Sequence, residues 1–472
     1  MRIRFLSCWT VSMISVVLTA CVPRIPPKPM AAQLDIPLQW HEKTISSSNH
    51  SSDQNWWHQL NDPVLNDLIE QALVNNTDLA IAQTHIQAAL AQEHIARSAL
   101  LPTLDVSGGS ARAQSLGALG SVGIARTEQP TFQAAYEIDV FGKNRKAWKA
   151  GKLSRQATEA AAAATRISVI AATVKSYVTL RALDAQLDLL QQTLKTREKE
   201  LKIAQAKAKA GYTSQLELSQ AESEYADTLQ QIPTIETSIS QQEHALNLLI
   251  GHTSQNVPRG LSLVQLKPPV IPEILPSDLI QKRPDIIQAT LLLAASDASL
   301  ASAQAQFLPS VNISATLGRV FSTSPINEPV TIWSIGGSIL APIFEGGRIQ
   351  AGFDQAVAKR NEEAWQYRQT VLTAFKEVED QLASGYRLQQ KQQALQMEHD
   401  ATAKALHFAQ NRYHTGYSPY LDVLDSQRNL LNTENQLIQN QANYLTSQVS
   451  LYQALGGGWQ NSPIKIKSET IH

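Results

Sequence analysis

The chain has 472 residues and a formal net charge of −1, which excludes the strong positive field of a nucleic-acid binder. Aromatic residues make up 6% and charged residues 17%, a balance that favours long helices over a compact aromatic core. Length alone would allow about three ordinary domains, but an internal duplication overrides that count.

Arg2 and Arg4 precede a short apolar run, Phe5 to Val17, too short to span a bilayer comfortably. The run ends in Leu18-Thr19-Ala20-Cys21, which resembles the bacterial lipoprotein signal. That resemblance implies a signal peptide over 1–20 and acylation of Cys21; the alternative is an ordinary secretory signal with an incidental cysteine. Val22, where inner-membrane lipoproteins tend to carry Asp, implies the outer membrane. Of the two cysteines, Cys8 would leave with the signal and Cys21 would carry lipid. No disulfide or cysteine metal site then remains. A Pro- and Ser-rich tether over 21–55 is expected to run extended.

Beyond the tether the chain writes one design twice. Residues 77–107 align with 284–314, placing Asp78 on Asp285, Ala82 on Ala289 and Pro102 on Pro309. DVFGKNR (139–145) aligns with PIFEGGR (342–348), and KAGYTSQLELSQAE (209–222) with HTGYSPYLDVLDSQ (414–427). The repeats are 56–270 and 271–460, followed by a tail over 461–472. Each predicts a helix, a proline, two strands, a very long helix, a Gly turn and a long returning helix. The strands fall at about 103–113, 130–141, 310–320 and 331–343, and the helical hairpins at 145–250 and 348–455.

The strands alternate. Phe132, Ala134, Tyr136, Ile138 and Val140 share one face, against Thr131, Gln133, Glu137 and Asp139. Trp333, Ile335, Ile339 and Ile343 alternate with Ser334, Gly336 and Ser338. Such a period of two fits a half-buried soluble sheet or a membrane strand with lipid on one side. No later segment offers about 18 uninterrupted apolar residues, so a membrane crossing would require a closed barrel. Four strands cannot enclose a lumen, since about eight is the smallest natural membrane barrel. Several chains would have to contribute.

The first helix of the second hairpin, from about 348 to 413, would reach about 100 Å at 1.5 Å per residue. The returning helices carry seven-residue apolar files: Leu218, Tyr225, Ile232, Ile239 and Leu246, then Val423, Leu430, Leu437, Tyr444 and Leu451. A second file in repeat two, Leu424 to Tyr452, widens the stripe enough to touch a neighbour on each side. Pro233 is expected to bend its helix. Beyond the second turn, Leu421, Asp425 and Arg428 stand at i, i+4 and i+7 and share one helix face. Repeat one has Gln220 where Asp425 falls. Asp422, in the first turn, fits an acid that offsets the helix dipole.

WWHQLNDPVLNDLIEQALVNNTDLAIA (56–82), RPDIIQA and FLPS (283–310), PIFEGGR, GYSPYLDVLDSQRNLL (416–431) and LYQALGGGW (451–459) resemble the TolC-like outer-membrane factors. The likeness is to the lipoprotein branch that serves resistance-nodulation-division efflux pumps. It implies a mainly α protein with a small membrane β-barrel portion: a homotrimer with a 12-stranded barrel and a periplasmic α-helical barrel. It also implies a periplasmic adaptor and an inner-membrane pump as partners, which choose the cargo. The turns at Gly211, Tyr212, Thr213 and Ser214, and at Gly416, Tyr417 and Ser418, would meet the adaptor. Leu421 and Asp425, with Asp422 beside them, would form rings around a closed pore, and Arg428 would hold the helices by polar contacts.

No catalytic constellation is written in the chain. There is no His-Glu-x-x-His, phosphate-binding Gly-Lys-Ser/Thr loop or Gly-x-Ser-x-Gly. His85 and His94 are nine apart and do not make a metal pair. No metal and no cofactor beyond the lipid on Cys21 is expected. The Gly-rich segment 115–123 reads as an external loop, and the Asn75-Asn76-Thr77 sequon as a chance match. Two rival readings stand beside the efflux duct: a lipid-anchored periplasmic coiled-coil scaffold or adaptor, and the duct of a type I protein secretion system.

Overall fold

The computed structural model describes residues 22–27, 29, 34–42, 55–116, 122–271, 275–323 and 328–457. Segment 1–20, Cys21 and the tail 461–472 lie outside them. Among the described residues the first half contains α1 (Pro63–Asn75), α2 (Thr77–Ser98), β1 (Thr103–Leu116), β2 (Val122–Ile138), α3 (Lys143–Lys209) and α4 (Gln215–Leu249). The second half contains α5 (Pro276–Lys282), α6 (Pro284–Ala305), β3 (Ser310–Ser322), β4 (Val330–Leu340), α7 (Arg348–His414) and α8 (Tyr420–Ala454). Helices α3 and α7 are each 67 residues long, and α4 and α8 each 35. Helix α4 continues through Pro233 without breaking. Every member of the apolar files on α4 and α8 is buried or half-buried.

The chain forms two compact units. The first comprises Met1–Leu34, His85–Glu159 and Gln288–Gln369; the second comprises Asp35–Thr84, Ala160–Ile287 and Thr370–His472.

The first unit holds one antiparallel sheet in the order β1-β2-β3-β4, so the two repeats join through β2 and β3. The register sets Leu104 beside Ala134, Ala315 and Ile335, and Val106 beside Phe132, Leu317 and Trp333. These rows make one apolar face, and its large side chains are exposed. The opposite face carries Gln133, Thr316 and Ser334 in one row and Glu137, Asn312 and Ser338 in another. There Ser107 bonds Thr131, and Thr316 bonds Ser334, each at 2.7 Å.

Strand β2 begins eight residues before its expected start at 130, because Val122–Gln129 pair with the outer half of β1. It ends at Ile138, so Asp139 and Val140 are turn residues, and Ile343 likewise lies beyond β4. Asp139 instead accepts the backbone N–H of Asn144 (3.1 Å) and Arg145 (2.8 Å) at the start of α3. Two donors otherwise left without intrahelical partners are thereby satisfied. The β2–β3 ladder skips Pro130, which has no N–H to give. A Cβ at the facing Gly318 would sit 2.5 Å from a Thr131 methyl and 2.6 Å from the Pro130 oxygen, so only glycine fits beside that proline.

The described tether is held rather than free. The buried Arg360 donates to the carbonyls of Pro26 (2.9 Å) and Pro27 (3.1 Å), and Gln304 donates to Pro23. In the second unit the N–H groups of His41 and Glu42 bond the Glu379 carboxylate.

The second unit is keyed by Asp62, which is fully buried. Its carboxylate caps α1 at Val64 (2.9 Å) and accepts from Tyr177 Oη (2.7 Å) and Leu261 N–H (2.9 Å). The repeats also mirror each other here. Asn76 donates to the Leu249 carbonyl at the end of α4 (2.8 Å), and Arg283 donates to the Ala454 carbonyl at the end of α8 (2.9 Å). Asn76 also caps α2 through Asp78 N–H. Helix α6 is the one described helix long and apolar enough to cross a membrane by length and composition. It buries Ile286 and Leu300 completely, as a core helix does.

Candidate functional site

The site forms at the two Gly turns, both in the second unit. Each turn closes the same way. Tyr212 N–H returns to the Lys207 carbonyl and Tyr417 N–H to the Arg412 carbonyl, both at 2.8 Å. Gly211 (φ +73°) and Gly416 (φ +80°) supply the left-handed residue this helix stop needs. Ser214 then caps α4 by accepting from Glu217 N–H at 3.2 Å, and Thr213 bonds the Glu217 carboxylate. Helix α8 starts on Pro419 without a side-chain cap. Tyr212 and Tyr417 project into solvent. Ser418 is half-buried, and its hydroxyl has no hydrogen-bond partner among the described residues.

Behind the turns the two hairpins share one small core. Ala204, Ala221, Tyr420, Val423 and Leu424 are buried there, flanked by Leu201, Leu218, Leu406, Ala409 and Tyr413. Since Val423 and Leu424 point inward, helical geometry turns Leu421, Asp422, Asp425 and Arg428 outward. All four are exposed. The Asp422 carboxylate makes no ion pair among the described residues.

Polar links tie the hairpins together. Arg428 on α8 pairs with Glu224 on α4, and its other nitrogen lies 3.5 Å from Asp425. Glu224 is buried, and Arg197 on α3 binds both its carboxylate (2.5 Å) and its carbonyl (2.8 Å). Closer to the turns, Tyr413 donates to Glu217, and Lys207 lies 4.8 Å from the Tyr413 ring centroid. Glu200 accepts from Gln427 (2.6 Å) and Tyr420 (3.3 Å). The Glu224 hydrogen bond holds the Arg428 guanidinium above its ordinary value. Burial, then the neighbouring carboxylates, push the Tyr413 and Tyr420 hydroxyls up. Both tyrosines therefore stay protonated donors at any physiological pH.

The structure thus places Leu421, Asp425 and Arg428 on one exposed face and joins Arg428 to the other hairpin. Sequence reasoning missed Arg197, Glu200, Glu217, Glu224 and Tyr413. A signal was present in Glu217 and Glu224, seven apart on α4 and therefore on one face, as are the apolar residues beside them.

A four-stranded sheet with an exposed apolar face, each half of it followed along the chain by a long helical hairpin, the two hairpins linked at their tips, is the make-up of a membrane duct. Among solved structures, the Campylobacter jejuni CmeC outer membrane channel is similar with a TM-score of 0.83 and 27% identity, covering 93% of this chain and 95% of that one. The open-state Neisseria gonorrhoeae MtrE outer membrane channel has a TM-score of 0.81 and 27% identity, covering 93% and 98%. The antibiotic efflux pump outer membrane protein ArpC of Pseudomonas putida is 31% identical over 468 residues, 95% of this chain and 96% of that protein. The family model described as outer membrane efflux protein matches residues 68–252 and 275–457. The chain belongs to the outer membrane efflux protein family. It is an outer-membrane channel of an efflux system, in a family of channel proteins rather than enzymes.

Proposed function

We propose that the chain is the exit duct of a tripartite pump, working as a homotrimer. Three sheets close a 12-stranded barrel in the outer membrane, and the hairpins of three copies continue it as an α-helical barrel across the periplasm. The unpaired outer edges of β1 and β4 support this, because lipid offers their free N–H and C=O groups no partner. Drugs or other small toxic compounds pass outward passively, loaded by an inner-membrane resistance-nodulation-division pump through a periplasmic adaptor. The antibiotic in the name of the P. putida relative supports that cargo class over folded proteins. Exposed Tyr212 and Tyr417 support the turns as the adaptor's footing. Cys21 carries the lipid anchor, and no metal or other cofactor takes part.

The periplasmic end is gated. Leu421 and Asp425 ring the closed pore, with Asp422 beside them. Three converging Asp425 carboxylates repel one another unless solvated, bound to cations or tied to arginine. The observation that carries this reading is the Arg428–Glu224 link, which fastens the hairpin bearing the exposed Leu421–Asp425 face to its neighbour. Asp425→Ala with Arg428→Ala should raise single-channel conductance in a planar bilayer. An unchanged closed level would count against the gate. Proteinase cleavage at 115–125 and 322–330 on intact cells separates a spanning barrel from a periplasmic scaffold, because only the barrel exposes those segments outside.

A further inference from the structure

Helix α3 opens with KNRKAWKAGKLSR, residues 143–155, which holds six cations and no acid. The start of a helix carries partial positive charge, so cations there are disfavoured unless something offsets them. Three are offset within the protein. Lys143 pairs with Glu137 at 2.6 Å, Arg145 with Asp139 at 3.2 Å, and Arg155 with Glu93 at 2.6 Å. Lys149 and Lys152 are exposed and make no ion pair among the described residues.

Arg145, Lys149 and Lys152 stand at i, i+4 and i+7, so they form one stripe. Trp148 lies beside it, half-buried, with its indole N–H 3.3 Å from Glu93. Arg97, in the last turn of α2, sits over that ring at 6.0 Å. Gly151 lies against α2 here, where a Cβ would sit in van der Waals contact with the Ala96 methyl at 3.4 Å. The resulting surface places three cations, Arg97, Lys149 and Lys152, around one indole. Along the chain it is followed at once by the exposed apolar residues Leu101, Leu104 and Val106.

Repeat two has no such surface. Its corresponding stretch, residues 346–358, reads GGRIQAGFDQAVA, with one cation and one acid, and Gln304 stands where Arg97 does. Helices α3 and α7 start within about two residues of equivalent points and have equal length. Repeat two thus builds the same long helix without counterparts of Arg97, Lys149 and Lys152, so the helix itself does not call for these charges.

We propose that Arg97, Trp148, Lys149 and Lys152 form a docking surface for anionic phospholipid headgroups at the periplasmic face of the outer membrane. The inference rests on reading β1–β4 as lipid-facing strands. Cations beside an apolar band attract anionic lipid roughly fivefold per residue, and an indole next to them settles at the headgroup level.

The test is tryptophan quenching in the full-length chain reconstituted into phosphatidylcholine vesicles that carry brominated phosphatidylglycerol or brominated phosphatidylcholine. The W148F variant isolates the signal of Trp148, and W333F that of Trp333, which is exposed on the apolar face of β4. Trp333 should be quenched alike by both lipids. Trp148 should be quenched at a several-fold lower fraction of phosphatidylglycerol than of phosphatidylcholine. The R97Q/K149Q/K152Q variant should lose that preference, and K149Q alone, which disturbs no internal contact, should weaken it. Equal quenching of Trp148 by both lipids, or a preference that survives the triple substitution, overturns the proposal. Absent quenching of Trp333 overturns the membrane-strand reading instead. Inorganic phosphate that erases the preference where chloride of equal ionic strength does not would make the patch a free-anion site. A triple variant that no longer assembles would assign it to a subunit contact. Either result also overturns the proposal.

Discussion

Glu224 holds two arginines at once, and they are not equivalent. Arg197 is buried with it, whereas Arg428 is half out in solvent. Removing one partner of a buried pair leaves an uncompensated charge and costs about 3–5 kcal/mol. Glu224→Ala should therefore lower the thermal unfolding temperature clearly and raise the idle conductance. Asp425→Asn removes only an exposed contact at 3.5 Å and should cost less than about 1 kcal/mol in the same melt. A second residue-scale prediction concerns acid. Burial pushes the Asp139 carboxyl up, but the N–H groups of Arg145 and Asn144 and the Arg145 guanidinium outweigh it, so the carboxyl sits below its ordinary 3.8. A depressed folded value means a contribution present above about 3.8 and lost as pH falls through the lower folded value. Asp139→Asn should flatten that part of the acid-unfolding curve; an identical limb in both proteins would refute the assignment. At this scale the sequence exposed what one helix contains. The spacing of Leu421, Asp425 and Arg428 was legible, whereas Glu224 was not, because its two partners lie on other helices.

At the scale of elements, the duplication is written into helix ends. The last carbonyls of α4 and α8 have no intrahelical donors, and each repeat supplies one from an equivalent place, Asn76 or Arg283. The two glycines that follow, Gly251 and Gly456, both have positive φ and lie close against Asn75 and Lys282. Arg283→Ala should speed amide exchange in the last turn of α8 while leaving α4 unchanged, and Asn76→Ala should do the reverse. Equal effects on both helices would mean that these contacts are incidental. RPDIIQA and NNTDLAIA were readable as matched stretches, yet their shared task was not, since an asparagine and an arginine look unrelated until both are seen bonding a carbonyl. Strand limits were legible only in part. Alternation gave the faces, but the outer half of β2 reads as loop until β1 is laid beside it, and Pro130 hides a strand that Gly318 makes possible.

For the whole molecule, the sheet decides assembly. Its apolar rows match a lipid-facing surface, and among the described residues β1 and β4 each keep an open edge. Detergent-solubilised protein should run by light scattering at about three times the 51.8 kDa chain mass. A monodisperse monomer that stays soluble without detergent would sink the barrel assembly. Gly318→Val should reduce that trimer, because a branched side chain has no room beside Pro130 and Thr131. By itself the amino-acid sequence determined the duplication, the strand faces, the helix lengths and the two tight turns. The strand faces and helix stripes are carried by spacings of two to seven residues along one stretch of chain, and the duplication by the match of one such stretch to another, 77–107 to 284–314. Only the tertiary structure decided that the halves join through β2 and β3, that the tether is pinned by Arg360, and that Glu224 links Arg197 to Arg428. Those choices depend on which faces meet between separate elements, from 27 residues apart for Arg197 and Glu224 to 334 for Arg360 and Pro26, and no local period encodes them.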